Sequence, residues 1–341
     1  MQRCIELARQ GAGSVAPNPM VGAVLVHNGL IIGEGYHRLY GQAHAEVNCI
    51  RSVAPEQQHL LPQSVMYVSL EPCAHWGKTP PCADLIIEKK IPEVVIGCRD
   101  PFKEVNGKGI EKLQAAGVKT TVGVLEQACR ELNSRFFTFH TQRRPYIILK
   151  WAQTADGRMG SGDDARLLIS NEYSNRLVHK WRSEEAAILT GTNTALFDDP
   201  SLTTRLWKGN NPLRLVVDMD LRLPASLQLF NGKVRTIVFN TLRHEERDNL
   251  LYYQVTRDTS FIDQLTHALY AMNIQSVLVE GGARLLQSFF DAGVWDEARI
   301  ITNHALHQPA GLPAPLPPAM ELTGSLALQT DTIRFYKPST R

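Results

Sequence analysis

The sequence lacks long apolar runs, a strong charge of one sign and a dense set of cysteines. No stretch of its 341 residues approaches the ~20 apolar residues that a bilayer-spanning helix needs. The net charge is only +2, from 36 basic and 34 acidic side chains spread along the chain, so no basic face for nucleic acid is predicted. Six cysteines are too few for a disulfide scaffold at this length. These absences favour a cytoplasmic protein that binds neither membrane nor nucleic acid.

The length and the N-terminus indicate a folded protein of two domains. A chain of 341 residues exceeds what one hydrophobic core usually serves. Residues 1–13 alternate polar groups with an apolar helical stripe, a pattern unlike that of a signal peptide. A polar stretch ending in Pro145 separates a helical run from a new apolar strand. We therefore predict domains over residues 1–143 and 144–341.

One histidine, one glutamate and two cysteines form the most informative pattern in the chain. His44-Ala45-Glu46 is followed by Cys73 and Cys82. Zinc held by three protein ligands keeps its fourth position for water, whose pKa then falls to roughly 7. A glutamate beside the histidine can pass that water's proton to an amino leaving group, as in zinc deaminases of cytosine or adenine. We predict that His44, Cys73 and Cys82 bind zinc and that Glu46 is catalytic.

Each part of this pattern also has an ordinary interpretation. A His-x-Glu sequence alone is usually a solvated helix start, and a cysteine pair is usually buried and inert. The context favours the metal site, because Cys73 follows a strand-like run and Cys82 opens a helix-like run after two prolines, where the helix dipole favours a thiolate. The remaining cysteines lie in apolar segments and are predicted core residues: Cys4, Cys49, Cys98 and Cys129.

The first half alternates strand and helix patterns. Asn28-Gly29 between two apolar runs predicts a tight hairpin. Helices are then predicted over 45–53, 82–90, 107–117 and 125–141, and strands over 65–70, 93–97 and 118–122. This alternation predicts an α/β domain with a largely parallel sheet, helices on both faces and the zinc motifs beyond the strand ends. The segment Gly11–Ala16 formally matches a dinucleotide fingerprint, but it follows a helix and is interpreted as a helix end and loop.

The second half predicts another α/β unit, with no zinc-like cluster. Strand-like runs occur at 146–149, 186–189, 213–217, 236–239 and 277–279. The last run passes through Gly281-Gly282 into a predicted helix over 284–290. Glycines let a backbone approach a phosphate, and a helix start supplies unpaired N–H groups. This turn is a candidate anion site, although many tight strand-to-helix turns share the pattern.

These motifs resemble the bifunctional riboflavin-biosynthesis deaminase/reductase. The first half carries Ala16-Pro17-Asn18-Pro19-Met20-Val21-Gly22, Gly33-Glu34-Gly35-Tyr36-His37, the His44 motif and Glu71-Pro72-Cys73-Ala74-His75-Trp76-Gly77-Lys78-Thr79-Pro80-Pro81-Cys82. The eight residues between the two cysteines are typical of this family. The resemblance implies a cytidine-deaminase-like three-layer α/β/α domain acting on 2,5-diamino-6-ribosylamino-4(3H)-pyrimidinone 5′-phosphate. It also implies that Asn18, His75 and Lys78 bind that substrate.

The second half resembles the reductase part of the same enzyme. Its marks are Leu149-Lys150, Ala155-Asp156-Gly157-Arg158, Gly191-Thr192-Asn193-Thr194 and Asp198 to Arg205. The resemblance implies a dihydrofolate-reductase-like fold that uses NADPH to reduce the ribosyl group to ribityl, by hydride transfer to C1′. The implied cofactor contacts are Ala152, Leu168, Thr194, Asp198, Gly282, Ala283, Arg284, Leu285, Leu286, Gln287 and Ser288. The implied substrate contacts are Arg166, Arg182, Leu202, Arg205 and Glu280, of which Arg182 and Arg205 suit a phosphate as bidentate donors.

The chain departs from the family pattern in its second half. Leu168 stands where a tryptophan is common, Arg166 replaces a serine, and Met219 replaces a small polar residue near the cofactor. A proline-rich loop over 303–318 replaces a usual Pro-Lys-Leu-Leu-Gly stretch. Two alternatives stay open: a deaminase with a non-catalytic second domain, and a nucleic-acid base deaminase whose second half is a binding module. Family members assemble as homo-oligomers, so a dimer or tetramer is expected.

Overall fold

The chain divides between Arg143 and Arg144 into two units, named here the N-unit (Met1–Arg143) and the C-unit (Arg144–Arg341). The structure, a computed structural model, describes residues 1–77, 80–161 and 167–339. Lys78 and Arg166, two predicted substrate contacts, lie outside the described residues. No helix in the described parts of the chain is both long enough and apolar enough to cross a bilayer.

The N-unit is a five-stranded sheet with helices packed against it. The sheet order is β2-β1-β3-β4-β5. Its strands are β1 Gly22–His27, β2 Leu30–Tyr36, β3 Val65–Leu70, β4 Glu93–Cys98 and β5 Lys119–Val122. Its α-helices are α1 Gln2–Ala8, α2 Ala45–Ser52, α3 Cys82–Glu88, α4 Lys108–Ala115, α5 Glu126–Leu132 and α6 Ser134–Gln142. 3₁₀ segments cover Arg9–Gly11 and Pro55–Gln63, which confirms that Gly11–Ala16 begins at a helix end.

The strand directions of this sheet differ from the prediction. β3, β4 and β5 are parallel, but β1 is antiparallel to both β2 and β3. The expectation of a largely parallel sheet is therefore confirmed for β3, β4 and β5 and wrong for β1, because the hairpin places β1 between two strands that run the opposite way. The hairpin itself is confirmed, since Asn28 and Gly29 both have positive φ, 48° and 79°, as a two-residue turn requires.

The predicted helix over 125–141 is two helices, because Asn133 interrupts it. The buried Asn133 amide accepts a hydrogen bond from Met20 N and donates one to Met20 O, both at 2.8 Å. A buried amide needs such partners, and here they lie on the loop that carries Asn18. The break between α5 and α6 thus fixes that loop against the N-unit core.

The C-unit is built on a ten-stranded sheet whose middle strands are parallel. The order is β11-β12-β10-β9-β8-β13-β6-β14-β17-β16, and β7 pairs with β15 in a separate two-stranded sheet. The inner strands are β6 Tyr146–Thr154, β8 Ala187–Gly191, β9 Leu213–Val217, β10 Thr236–Asn240, β12 Leu250–Gln254, β13 Ser276–Val279 and β14 Glu297–Asn303. The others are β7 Arg158–Gly160, β11 Glu245–Arg247, β15 Leu312–Pro313, β16 Met320–Leu328 and β17 Asp331–Pro338. The α-helices are α7 Glu172–Glu184, α8 Thr192–Asp198, α9 Phe261–Ala271 and α10 Ala283–Asp291, and Gln228–Phe230 is a 3₁₀ turn.

This topology gathers four strand ends at one edge of the sheet. β6, β13, β8 and β9 are adjacent and parallel, so their carboxyl ends lie side by side. In such sheets ligands bind beyond the carboxyl ends of the strands. The antiparallel hairpin of β16 and β17, which extends the far edge, was missed from the sequence although Met320, Leu322, Leu326 and Leu328 alternate along β16.

Two candidate active sites

The predicted zinc ligands converge in the N-unit. Nδ1 of His44 lies 3.6 Å from Sγ of Cys73 and 3.4 Å from Sγ of Cys82, and the three ligand atoms lie within 4.8 Å of one another. A tetrahedral zinc ion, with bonds of about 2.3 Å to sulfur and about 2.0 Å to nitrogen, would separate nitrogen from sulfur by about 3.6 Å. The donor types and their spacing therefore fit zinc.

Backbone geometry around the two thiols is fixed by the start of α3. The N–H of Cys82 donates to Sγ of Cys73 at 3.3 Å, and the N–H of Ala83 donates to the carbonyl of Cys73 at 3.1 Å. These bonds hold the end of β3 against the first turn of α3. The sequence prediction that Cys82 opens a helix is confirmed. The four other cysteines are free and buried, as predicted for core residues.

Hydrogen bonds among the two thiols and the imidazole shift the pKa of each group. A hydrogen bond from the Cys82 thiol, reinforced by His44, lowers the pKa of Cys73 to about 4. The same bond raises the pKa of Cys82, and the bond to Cys73 raises the pKa of His44. A low pKa favours the thiolate, which is the form of cysteine that binds a metal ion.

Glu46 lies beside these ligands without belonging to them. His44 immediately precedes α2, and Glu46 is in its first turn with only 3% of its surface exposed. Burial raises the pKa of Glu46. A buried carboxyl group with a raised pKa is suited to accept and return a proton, which is what a general acid–base needs. Glycines in β2 allow this placement, since a Cβ on Gly35 would lie 2.2 Å from the backbone of Cys49 in α2.

Two of the three predicted substrate residues of the N-unit stand near this centre. The Asn18 amide lies 3.2 Å from Nε2 of His37, whose Nδ1 faces the carbonyl of Ala43 at 3.1 Å. Because that carbonyl can only accept, His37 is protonated on Nδ1 and accepts from Asn18. Burial lowers the pKa of His37, and its ring lies edge-on to His44 at 5.3 Å. His37 thereby orients Asn18, a role that the sequence reasoning did not assign although it quoted the motif.

His75 is the second of these residues. Its Nδ1 is buried and has no hydrogen-bond partner among the residues that the structure describes. Its ring packs edge-on against Phe102 at 6.1 Å. A buried nitrogen without a protein partner is suited to a ligand, which agrees with the predicted contact.

A buried glutamate that the sequence reasoning overlooked shapes the same loop. Glu71, 4% exposed, precedes Pro72-Cys73. Its two oxygens accept hydrogen bonds at 3.0–3.3 Å from the backbone N–H groups of Asp100, Gly107, Gly109 and Ile110. The fit is close, because a Cβ on Gly109 would lie 1.9 Å from the carbonyl oxygen of Pro72. Its position directly before the Pro-Cys pair was the available signal.

The second site is a cavity of about 1190 Å³ in the C-unit. It lies at the carboxyl ends of β6, β13, β8 and β9, where the topology gathers ligand-binding loops. Most predicted contacts of this half line it: Ala152, Leu168, Arg182, Thr194, Asp198, Leu202, Arg205, Glu280, Gly282, Ala283, Arg284 and Leu285. Leu286, Gln287 and Ser288, further along α10, are not part of the wall: Leu286 is buried in the core, Gln287 bonds with Leu316, and Ser288 donates to Leu285.

A buried ion-pair group stands in this cavity. Arg182 Nε and Nη2 each donate to one oxygen of Glu280 at 2.8 Å, and Lys150 lies 3.4 Å from the same carboxylate. The side chains of Lys150, Arg182 and Glu280 are only 13%, 12% and 9% exposed. Burial alone would raise the pKa of Glu280, but Arg182 and Lys150 outweigh it and lower that pKa to about 2. The bidentate donation predicted from Arg182 to a phosphate is therefore directed to Glu280 here.

The glycine turn has the expected close packing. A Cβ on Gly281 would lie 2.7 Å from Leu285, and one on Gly282 would lie 3.1 Å from Oγ1 of Thr194. The turn leads into the nine-residue helix α10, and the first N–H groups of a helix lack acceptors within it. Such a turn suits the phosphates of a dinucleotide. Leu168 is 73% exposed at the cavity, and Met219 packs against the hydrophobic core instead of lining the wall.

Both halves of the chain match families of known proteins. The model described as the cytidine and deoxycytidylate deaminase zinc-binding region matches residues 1–98. The model described as the RibD C-terminal domain matches residues 145–306. The riboflavin biosynthesis protein RibD of Aquifex aeolicus is 40% identical over 301 residues, which cover 87% of this chain and 83% of that protein. The Escherichia coli protein of the same name is 32% identical over 318 residues, covering 87% and 84%.

Solved structures match over nearly the whole chain. A diaminohydroxyphosphoribosylaminopyrimidine deaminase/5-amino-6-(5-phosphoribosylamino)uracil reductase from Thermotoga maritima superposes with a TM-score of 0.90 at 36% identity, covering 99% of this chain and 97% of that one. RibD from Acinetobacter baumannii superposes with a TM-score of 0.90 at 29% identity, covering 99% and 98%. These likenesses confirm the predicted fold of both halves.

Proposed function

The chain belongs to the RibD family, whose members are bifunctional deaminase/reductases of riboflavin biosynthesis, and from that premise we propose which residues carry each reaction. Family membership confirms the predicted pair of activities and their cofactors, zinc and NADPH. We assign deamination to residues 1–143 and reduction to residues 144–341. The reductase family match over 145–306 favours this assignment over a non-catalytic second domain or a nucleic-acid binding module.

The deaminase proposal rests on one observation: three zinc-type donors at tetrahedral spacing beside a buried glutamate. We propose that His44, Cys73 and Cys82 hold the zinc, which when bound activates water for attack on the ring carbon that bears the amino group. Glu46 accepts a proton from that water and delivers it to the departing nitrogen, so that water replaces ammonia. The substrate is 2,5-diamino-6-ribosylamino-4(3H)-pyrimidinone 5′-phosphate, with Asn18 and His75 against it. Lys78 joins them in the proposal as a point charge for the phosphate.

The reductase proposal places the nicotinamide cofactor along the cavity of the C-unit. The glycine turn and the start of α10 bind its phosphates, with Ala152, Leu168, Thr194 and Asp198 completing the cofactor wall. The substrate lies toward Arg182, Leu202, Arg205 and Glu280, with Arg166 proposed from the resemblance. NADPH supplies the hydride that reduces C1′ of the ribosyl group. The residues of this chain orient the two reactants and neutralise the phosphate.

The deaminase assignment is tested by separating metal binding from proton transfer. We expect Glu46→Ala to keep its zinc and lose ammonia release, whereas Cys73→Ser loses the metal as well. Cys129→Ala is the matched control, because Cys129 is buried in a core cluster that contains none of the proposed zinc ligands and its replacement should leave zinc content unchanged. Zinc is measured by elemental analysis and ammonia by a coupled assay. A near-normal rate in Glu46→Ala would remove the proton-transfer role.

The cellular setting is part of the proposal. We propose that the enzyme is cytoplasmic, which its six free thiols support. We also propose that it assembles as a dimer or tetramer, as members of the family do. Cell fractionation and light scattering of the purified protein test these two points.

A further inference from the structure

We propose that His179 is a substrate-binding residue of the reductase site, where its Nε2–H group donates a hydrogen bond to the phosphate of the ribosyl phosphate substrate. The inference rests on the proposed assignment of the C-unit cavity to the reductase step. His179 lines that cavity from α7 and is only 5% exposed. Neither composition nor motif spacing marked it, because a lone histidine on an amphipathic helix is an ordinary core residue.

The hydrogen bonding of His179 determines which nitrogen carries the proton. The backbone N–H of Arg205 donates to Nδ1 of His179 at 2.8 Å. A neutral imidazole has one acceptor and one donor nitrogen, so Nε2 bears the hydrogen. No hydrogen bond to Nε2 is made by the protein residues that the structure describes. A nearly buried N–H group without a protein partner is satisfied when a ligand oxygen meets it in the cavity.

The surroundings keep this ring neutral. Burial lowers the pKa of His179, and the nearby cations Arg182, Arg205 and Lys150 lower it further, to about 4, against the opposing charge of Glu280. At neutral pH the ring is therefore uncharged, and its Nε2–H group is the hydrogen-bond donor.

Neighbouring groups point to the phosphate as the acceptor. His179 and Arg182 are three residues apart on α7 and share a helix face. Arg182 and Arg205 line the same cavity as His179. They also line a small adjoining pocket of about 240 Å³, with Asp199, Ser201 and Gln228, which His179 does not reach. Arg182 directs its bidentate hydrogen bonds to Glu280. A phosphate bound beside Arg182 and Arg205 therefore needs further directional hydrogen-bond donors. The Nε2–H of His179 is such a donor beside the two guanidinium groups.

Two amide variants separate hydrogen-bond donation to the phosphate from support of the Arg205 backbone N–H. In His179→Gln the side-chain amide nitrogen reaches the place of Nε2 and keeps the donor. In His179→Asn the amide reaches only the place of Nδ1, so an acceptor for Arg205 N–H is kept and the donor is lost. Both are made in the full chain and assayed with the deaminated substrate and NADPH, with ammonia release as the control for an intact protein.

We expect His179→Asn to raise the KM for the phosphorylated substrate about tenfold or more, with kcat and the KM for NADPH nearly unchanged. His179→Gln should stay within about threefold of wild type, and the riboside without phosphate should not distinguish the two variants. If His179→Asn keeps a near-normal KM while His179→Gln does not, His179 only supports the loop that carries Arg205. If both variants are equally poor, or if the riboside suffers equally, donation to the phosphate is wrong. If the KM for NADPH rises instead, the donor serves the cofactor. A wild-type protein that fails to oxidise NADPH would instead refute the assignment of the cavity.

A measurement on wild-type protein covers the case in which both variants misfold. Nitrogen-15 spectra of the histidines should show His179 as the Nε2–H tautomer at neutral pH. Added inorganic phosphate should shift its Nε2–H proton downfield. An Nδ1–H tautomer, or a signal indifferent to both phosphate and the phosphorylated substrate, would overturn the proposal.

Discussion

Replacing Glu280 by glutamine should lower the unfolding free energy of the C-unit far more than the loss of an exposed charge would. Glu280 compensates two cations, Arg182 and Lys150, that are about as buried as itself. Glutamine has nearly the same shape but leaves both cations without a counter-charge. Removing one partner of a buried ion pair costs about 3–5 kcal/mol, whereas an exposed pair contributes at most about 1 kcal/mol.

The pKa of Glu280 gives an independent magnitude. It falls from the ordinary 4.5 to about 2 in the folded protein, with burial opposing and Arg182 and Lys150 causing the drop. At about 1.4 kcal/mol per pH unit, this drop corresponds to about 3 kcal/mol. Because the folded pKa is depressed, this stabilisation is complete above pH 4.5 and is lost as the pH falls toward 2. The difference between wild type and Glu280→Gln should be constant from pH 7 to about 5.5 and fall to less than half by pH 3.

Tryptophan fluorescence during urea unfolding measures this difference in the intact chain. Four of the five tryptophans lie in the C-unit, and three of these, Trp151, Trp181 and Trp295, are at most 4% exposed. Trp76 is the fifth and is 76% exposed, so a Trp76→Phe background makes the signal specific to the C-unit. Glu246→Gln is the matched control, since Glu246 pairs with Arg235 at the surface. Equal effects of the two glutamine variants, or a Glu280 effect that does not decline below pH 4.5, would refute the reasoning.

Three further outcomes are expected. Removal of zinc by a chelator should abolish ammonia release while NADPH oxidation with the deaminated substrate continues, and added zinc should restore deamination; loss of both activities would contradict independent sites. Gly282→Val should raise the KM for NADPH at least tenfold, because the new side chain begins 3.1 Å from Thr194 Oγ1, and ammonia release should be unaffected. Glu71→Gln should weaken zinc binding in a chelator competition and lower the unfolding free energy of the N-unit by about 2 kcal/mol or more, since one carboxylate accepts four backbone N–H groups. Glu88→Gln, at an exposed glutamate, is its control, and equal zinc affinity in the two variants would contradict the role of Glu71.

Local patterns in the sequence were reliable where one short segment carries the whole signal. Asn28-Gly29 predicted its hairpin, because only a two-residue turn with positive φ fits that dipeptide between apolar runs. Cys82 was correctly placed at a helix start by the preceding prolines. The split of the predicted helix at Asn133 was missed, since its cause is a pair of hydrogen bonds to Met20, 113 residues away.

Residue chemistry alone was sufficient to select three candidate zinc ligands that the structure brings together, because an imidazole, two thiols and a spare carboxylate have few other uses in that combination. Folding decided what no spacing contains: that β1 runs against both neighbours, that Arg182 is committed to Glu280, and that His179 turns its protonated nitrogen toward a cavity. Each of these depends on partners far apart in the chain, whose meeting is settled by packing of the sheet and its helices. Short motifs therefore identify the residue types that carry the chemistry of this protein. The tertiary structure determines which of the charged and polar groups are paired within the protein and which face a cavity.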